Sequence, residues 1–414
     1  MRDAVVIGAG FSGLVTAIRL AKAGRTVTLL TKGIGGIQLG QGTIDIFGYN
    51  PDRVTDPLAA VDAITDGGHP YAHFSGTEVA AAVRYLAELL PDVFVGDPAR
   101  NVLLPTAVGA LRPTALVPTS MAAGEVTDGK KYLIVGLARL KDFYPGLVAE
   151  NLGRTPLPGG GSVTARAVTV DFVAREGEAD STGLNHARAL DDPDNRRKLV
   201  ALVKPHLAEG EVVGLPAVLG IHDTAAWTDI QTQLGVPVFE IPLPPPGVPG
   251  MRINEALTRL AKDAGVRVIV GNRVVDHAAD GTTLTGVVVN SAGSKTGHAA
   301  KAVVIATGGF ESGNLHMDSY GTVTEKTFGL PLANAEAPLV HGDYWGADQP
   351  LFKVGVAVDD AMRVVGSDGA PVFGNLYAAG GILAGATRWR EKSGEGIALA
   401  SAVRAADSIL GEAR

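Results

Sequence analysis

The 414-residue chain contains no cysteine. That excludes disulfides, thiolate zinc sites, cysteine nucleophiles and iron–sulfur clusters carried by this chain. Electrons passing through it must enter and leave by an organic cofactor. A basic excess is also lacking. Lysine and arginine number 36 against 43 acidic residues, for a net charge of −7, and no basic cluster stands out. That argues against nucleic-acid binding. No run of 18 apolar residues occurs, so no direct membrane span is expected. The apolar start lacks a small-residue cleavage site and is broken by glycines, so it reads as strand and helix rather than a signal peptide. What abounds is glycine: 54 residues, about twice the average frequency. They sit in loops suited to approaching a ligand, not in low-complexity tracts. The length suits a two-domain or one large α/β architecture.

The first 32 residues read as strand, glycine turn, amphipathic helix and strand. The turn carries G-x-G-x-x-G at Gly8, Gly10 and Gly13. In such a turn the first glycine permits the sharp bend, the second lets a pyrophosphate approach the backbone, and the third lets helix and sheet close up. N–H groups and the helix dipole at residues 11–14, Phe11 and Ser12 among them, then face phosphates. Gly24 is the expected helix stop. The second strand would usually end in Asp or Glu to take the ribose hydroxyls. Here it ends Thr31-Lys32. Either the ribose contact is weaker than usual or the ligand lacks an adenosine half.

Further along, residues 77–94, 196–204, 223–234 and 253–263 read as helices, and 101–123 as short strands with prolines. The run from Ile241 to Gly250, with five prolines, reads as a stiff extended crossover. Residues 266–270 form a strand, 273–289 a hairpin-like pair and 302–306 a buried strand ending Thr307-Gly308-Gly309. A strand at 376–379 and a helix over about 394–410 close the chain. The expected fold class is α/β: a Rossmann-type dinucleotide-binding domain (1–100, 251–310 and 353–414) with an inserted α+β cap (101–250 and 311–352).

The glycine turn, Ala306-Thr307-Gly308 and Leu376-Tyr377-Ala378-Ala379-Gly380 resemble the glutathione-reductase-type flavoprotein superfamily. More narrowly, the chain resembles the B-subunit family of anaerobic glycerol-3-phosphate dehydrogenase. That resemblance runs over nearly the whole chain. It rests on Leu30-Thr31-Lys32-Gly33, Gly42-Thr43-Ile44-Asp45, His69-Pro70-Tyr71, Leu103-Leu104-Pro105-Thr106 with Arg112, Asp142-Phe143, Gly214-Leu215-Pro216-Ala217, Phe239-Glu240-Ile241-Pro242, Pro249-Gly250-Met251-Arg252 and Gly342-Asp343. It implies a flavin-bearing subunit that works with a second flavoprotein subunit and an iron–sulfur, membrane-associated subunit. The implied reaction converts glycerol 3-phosphate to dihydroxyacetone phosphate, with electrons passed to quinone. The implied location is the cytoplasm, or the inner face of the cell membrane through the complex. The stretch Arg388 to Lys392 departs from the glycine-rich sequence expected before the last helix.

Within this frame Thr307 and Gly308, at a strand's C-terminal end, are cofactor candidates. So are Gly380 and Gly381, which replace the usual Gly-Asp of such flavoproteins. Glu395 and Gly396 open the last helix, whose N–H groups suit the flavin's pyrimidine edge. Gly42 and Thr43 are placed near the isoalloxazine, Val274 near an adenine. Residues 33–48 hold no histidine, so the flavin is expected to be non-covalent. The intact glycines favour FAD, whereas Thr31 and the family's association with FMN favour the mononucleotide.

A small phosphorylated substrate needs cations, for which Arg252, Arg112, Arg388 and Arg390 are candidates; the competing reading for each is a salt bridge. A base must take the hydroxyl proton, and His222 and His341 are candidates, against ordinary satisfied histidines. His69 and His73 are spaced i, i+4, but the surrounding Gly67, Gly68 and Pro70 argue against a metal-binding helix. An enzyme subunit is the first reading. The alternatives are a non-catalytic electron relay whose partner holds the substrate site, and a structural subunit with a vestigial nucleotide site.

Overall fold

A computed structural model describes residues 1–291, 293–343 and 346–411. The chain divides into two compact units: 1–36, 45–90 and 256–414 form the first, and 37–44 and 91–255 the second.

The first unit is built on a sheet ordered Arg267–Val270, Val27–Thr31, Arg2–Ile7, Ser294–Ile305, Thr283–Ser291, Arg273–Asp280, with Leu376–Ala378 also paired to Ser294–Ile305. The strands around Arg2–Ile7 are parallel. Ile7 sits in register with Leu30 on one side and Ile305 on the other. Such strands are covered on both faces, which is why they read as unbroken apolar runs. Ala4, Val5 and Val6 have no exposure, nor do Leu29 and Leu30. The glycine helix, Phe11–Lys22, buries Leu14, Ile18 and Leu20 and packs on the closing helix Gly394–Leu410. Each such fully buried aliphatic side chain contributes about 1.5–3 kcal/mol. Arg19, in the helix's last turn, ion-pairs with Asp407. The Gly76–Leu89 helix opens with a reciprocal capping box between Ser75 and Glu78.

The second unit has its own parallel sheet, ordered Val238–Ile241, Glu211–Pro216, Lys131–Leu137, Thr164–Val170. The helix Pro145–Arg154 makes the crossover from Lys131–Leu137 to Thr164–Val170, since a parallel pair cannot be joined by a tight turn. Its Val148 and Leu152 enter the same core as Leu133, Val213 and Phe239.

The structure departs from the sequence reading in several places. Residues 311–352, expected with the inserted unit, belong to the first. The 77–94 helix stops at Leu89, with Leu90 as C-cap, because Pro91 disfavours helix at the residue before it. The proline run is not extended to its end: the helix Val248–Asp263 takes in Pro249-Gly250-Met251-Arg252. Pro249 is tolerated there because first-turn N–H groups have no partner within the helix.

Candidate functional site

At the C-terminal ends of the first unit's parallel strands, the glycine turn is tightly constrained. Gly8 has φ +113°, a left-handed backbone that glycine alone adopts without strain. A Cβ on Gly8 would strike the carbonyl of Ala306, and one on Gly13 would strike the carbonyl of Gly8. Gly10 is different: a Cβ there meets nothing within 4 Å. Gly8 and Gly13 are glycine for packing, and Gly10 faces open space. Gly10 is the N-cap of the helix, no side chain caps the helix, and its first turn holds no acid. The N–H groups beyond Gly10 therefore point at a position suited to an anion.

Several expected residues converge here. Thr307 and Gly308 follow the Ser294–Ile305 strand, and a Cβ on Gly380 would strike the Ser12 hydroxyl. Gly381 abuts Gly308 and Gly309. The Thr307 hydroxyl is buried and has no hydrogen-bond partner among the described residues. A buried hydroxyl without a partner costs about 1–3 kcal/mol, so a ligand atom beside it would remove a penalty. Open space at Gly10, uncapped N–H groups and an orphaned hydroxyl fit a phosphate-bearing cofactor. Val274 is buried on its strand in register with Val289. Lys32 is exposed. The Thr31 hydroxyl donates to the Gly33 carbonyl at 2.6 Å, which leaves its oxygen only as an acceptor toward a ribose.

A second cluster in the same unit joins residues 45–49, 69–71 and 387–397. Gly396 N–H donates to the Asp45 carbonyl at 3.0 Å, and a Cβ on Gly396 would strike the Tyr71 hydroxyl. Glu395 lies in the first turn of this closing helix. The Glu391 carboxylate accepts from the Ser393 hydroxyl at 2.8 Å and from Thr387 N–H at 2.8 Å. His69 Nε2 lies 3.3 Å from it, while His69 Nδ1 accepts from Tyr71 N–H at 3.1 Å. That second bond makes Nε2 the protonated nitrogen of the neutral ring. Burial pushes the Glu391 carboxyl up, but its hydrogen bonds from His69, Ser393 and Thr387 outweigh burial and hold it below the usual carboxylate value. Burial, then the charges of Glu391, Glu395 and Asp45, pushes the Tyr71 phenol well up, so it stays neutral and donates to the Ile46 carbonyl. Sequence reasoning singled out His69 without seeing this role, because Glu391 is 322 residues away.

The catalytic candidates fare differently. Arg252 is committed to Glu240, at 2.6 and 2.9 Å, and to the Gly220 carbonyl. Glu240 has a fully buried side chain, so this cation neutralises a protein carboxylate rather than waiting for a substrate. Arg112 sits on the short strand Leu111–Thr114 of the second unit. Arg388 pairs with Glu311 at 2.9 Å, and Arg390 pairs with Asp348. His222 is 64% exposed and lies 3.5 Å from Glu255. His341 belongs to the first unit, not to a cap, and its Nε2 lies 2.9 Å from the Ala347 carbonyl. His73 pairs with Asp360 at 3.0 Å, not with His69. Gly42 and Thr43 fall in the second unit.

Comparison with known proteins matches residues 3–397 to the family described as FAD binding domain. The probable B subunit of anaerobic glycerol-3-phosphate dehydrogenase from Halobacterium salinarum is 32% identical, covering 96% of this chain and 95% of that protein. The corresponding B subunit from Pectobacterium atrosepticum is 29% identical, covering 99% of both chains. Among solved structures, 3-ketosteroid delta1-dehydrogenase from Sterolibacterium denitrificans aligns at 12% identity and a TM-score of 0.47, covering 99% of both chains. This chain belongs to the FAD binding domain family and is a homologue of the B subunit of anaerobic glycerol-3-phosphate dehydrogenase.

Proposed function

We propose that this chain is the FAD-bearing B subunit of an anaerobic glycerol-3-phosphate dehydrogenase. It oxidises sn-glycerol 3-phosphate to dihydroxyacetone phosphate, and electrons reach quinone through a second flavoprotein subunit and an iron–sulfur subunit. The observation that supports the cofactor in this reading is the first unit's cradle: open space at Gly10, an uncapped helix start and the buried Thr307 hydroxyl, unpartnered among the described residues; the reaction is supported by the near-full-length relatives. Gly8, Gly13, Phe11 and Ser12 shape the cradle, Thr307, Gly308, Gly380 and Gly381 its far wall. The cradle suits a pyrophosphate, so the flavin is FAD rather than FMN, held non-covalently. Bound FAD supplies the two-electron acceptor. The first unit carries the cofactor, and the inserted unit serves substrate or partner. The protein works in the cytoplasm, or at the inner face of the cell membrane through its partners. Among the described residues no helix is long and apolar enough to cross a membrane.

One observation favours a second reading, in which the flavin relays electrons and the partner holds the substrate. Arg252, Arg388 and Arg390 are all ion-paired within the chain, which leaves them poorly placed to bind a phosphorylated substrate. An anaerobic absorbance titration of the purified, FAD-loaded chain with glycerol 3-phosphate separates the two. Bleaching of the flavin band places substrate oxidation on this chain. A flavin that bleaches with dithionite but not with glycerol 3-phosphate assigns it to the partner, and a chain that takes up no flavin overturns both.

A further inference from the structure

We propose that a cavity at the N-terminal edge of the first unit's sheet, walled by Arg2, Arg267 and His298, binds a phosphate group. The cavity measures about 350 Å³. It lies across the starts of three neighbouring parallel strands, which begin at Arg2, Val27 and Arg267. Arg2 and Ile7 are five residue steps apart, so the cavity lies roughly 17 Å from the glycine turn along the strand. It is therefore a separate place from the cofactor cradle in the same unit.

Three features point to an anion. The first is charge without compensation. Two arginines and a histidine line the cavity, and no carboxylate does. The neighbouring acid, Asp3, is already engaged: one oxygen accepts from Lys301 at 2.8 Å, the other from Thr26 N–H and hydroxyl at 2.9 and 2.7 Å. Among the described residues neither Arg2 nor Arg267 is in an ion pair. The second is a neutral hydrogen-bonding partner beside the cations. Burial, and then the charge of Arg267, pushes the His298 imidazole below its ordinary pKa, so the charge at the cavity is that of the two guanidiniums, unanswered on a chain of net charge −7. The third is room. Small residues, Thr28, Gly297 and Ala299, make up much of the remaining lining, and a Cβ on Gly297 would meet nothing within 4 Å. The volume lies at the low end of ligand clefts, about 300–1,000 Å³, enough for a phosphate with a few carbons. Guanidinium forks match phosphate oxygens in charge and geometry.

The proposal does not depend on the redox reading, and its test is made on FAD-saturated protein so that phosphate cannot enter the cradle. Inorganic phosphate is titrated calorimetrically at constant ionic strength into wild type, Arg267→Gln, Arg2→Gln/Arg267→Gln and a second-unit control, Arg154→Gln. We expect one saturable site, weakened at least about tenfold by Arg267→Gln, lost in the double variant and unchanged in the control. Arg267 is exposed, so the single variant retains its fold, which its melting temperature checks. Two further arms identify where the phosphate comes from. Sedimentation with phosphatidylglycerol vesicles but not phosphatidylcholine vesicles, lost in the double variant, indicates a lipid headgroup. Phosphate binding without vesicle binding indicates a free phosphate compound. Absence of saturable binding to wild type in every arm, or binding that survives the double variant, overturns the proposal.

Discussion

The Thr307 hydroxyl is buried without a partner directly after Ala306, whose carbonyl closes against Gly8 so tightly that no Cβ fits there. The chain thus holds an unsatisfied group against the turn that offers its N–H groups to phosphate. Valine has the shape of threonine without the hydroxyl. Thr307→Val is expected to leave the apoprotein as stable as wild type, or more stable by up to about 1 kcal/mol, because an orphaned polar atom is removed. Flavin affinity should fall at the same time. Thermal melts of apoprotein and a fluorescence titration with FAD check both halves. A loss of apoprotein stability with unchanged affinity would show that the hydroxyl has a protein partner instead.

The three glycines of the turn should fail in different ways. Gly13→Ala forces a methyl group into the Gly8 carbonyl, and overpacking of this kind costs about 1–3 kcal/mol or more. Its melting temperature and its flavin content should both drop. Gly10→Ala meets nothing within 4 Å and should melt like wild type. Gly10→Asp should also fold but bind no flavin, by charge and bulk against phosphate. The measurement is the ratio of flavin to protein absorbance, read beside the melting curve. A yellow Gly10→Asp protein would sink the assignment.

Arg252 and Glu240 form a pair that is worth more intact than either partner alone. Breaking a buried ion pair on one side costs about 3–5 kcal/mol, while replacing both members by apolar residues can be close to neutral. Glu240 also accepts from the Ser120 hydroxyl and Leu219 N–H, and its replacement leaves both without an acceptor. Urea unfolding of Arg252→Met, Glu240→Met and the double variant should show the double variant recovering stability relative to either single one. Additive losses would mean that Arg252 has another anionic partner.

The His69–Glu391 contact should appear as pH-dependent stability. Glu391 has its folded pKa held below the unfolded value. Its contribution is then fully present above the unfolded value, roughly 4.3, and is lost as pH falls through the folded one. Glu391→Gln should be less stable than wild type at neutral pH by about 2 kcal/mol. That gap should narrow as pH drops below roughly 4.3. Urea midpoints at pH 7, 5 and 3.5 test this; a gap that stays constant means the carboxylate is not held ionised.

Much of the architecture was legible in the chain. The strands at the chain's start and at 302–306, the glycine helix, the 273–289 hairpin and the closing helix all depend on local patterning: apolar runs, capping positions and glycine where the backbone must turn. Such signals act over a few residues, so sequence carries them directly. The same holds for the exclusion of thiol chemistry by the lack of cysteine.

Tertiary structure decided the rest, because it concerns which distant groups are brought together. For Arg252 the sequence leaves a substrate cation and a salt bridge both open, and only the fold supplies Glu240 as its partner. That the Thr31 hydroxyl donates to the Gly33 carbonyl is likewise a product of the folded loop. His69 had no partner within reach in sequence, and Glu391 supplies one from 322 residues away. Residues 311–352 carry no local sign of the unit they join. Charge state, hydrogen-bond occupancy and membership of a core belong to pairs and clusters, and only the folded chain forms those.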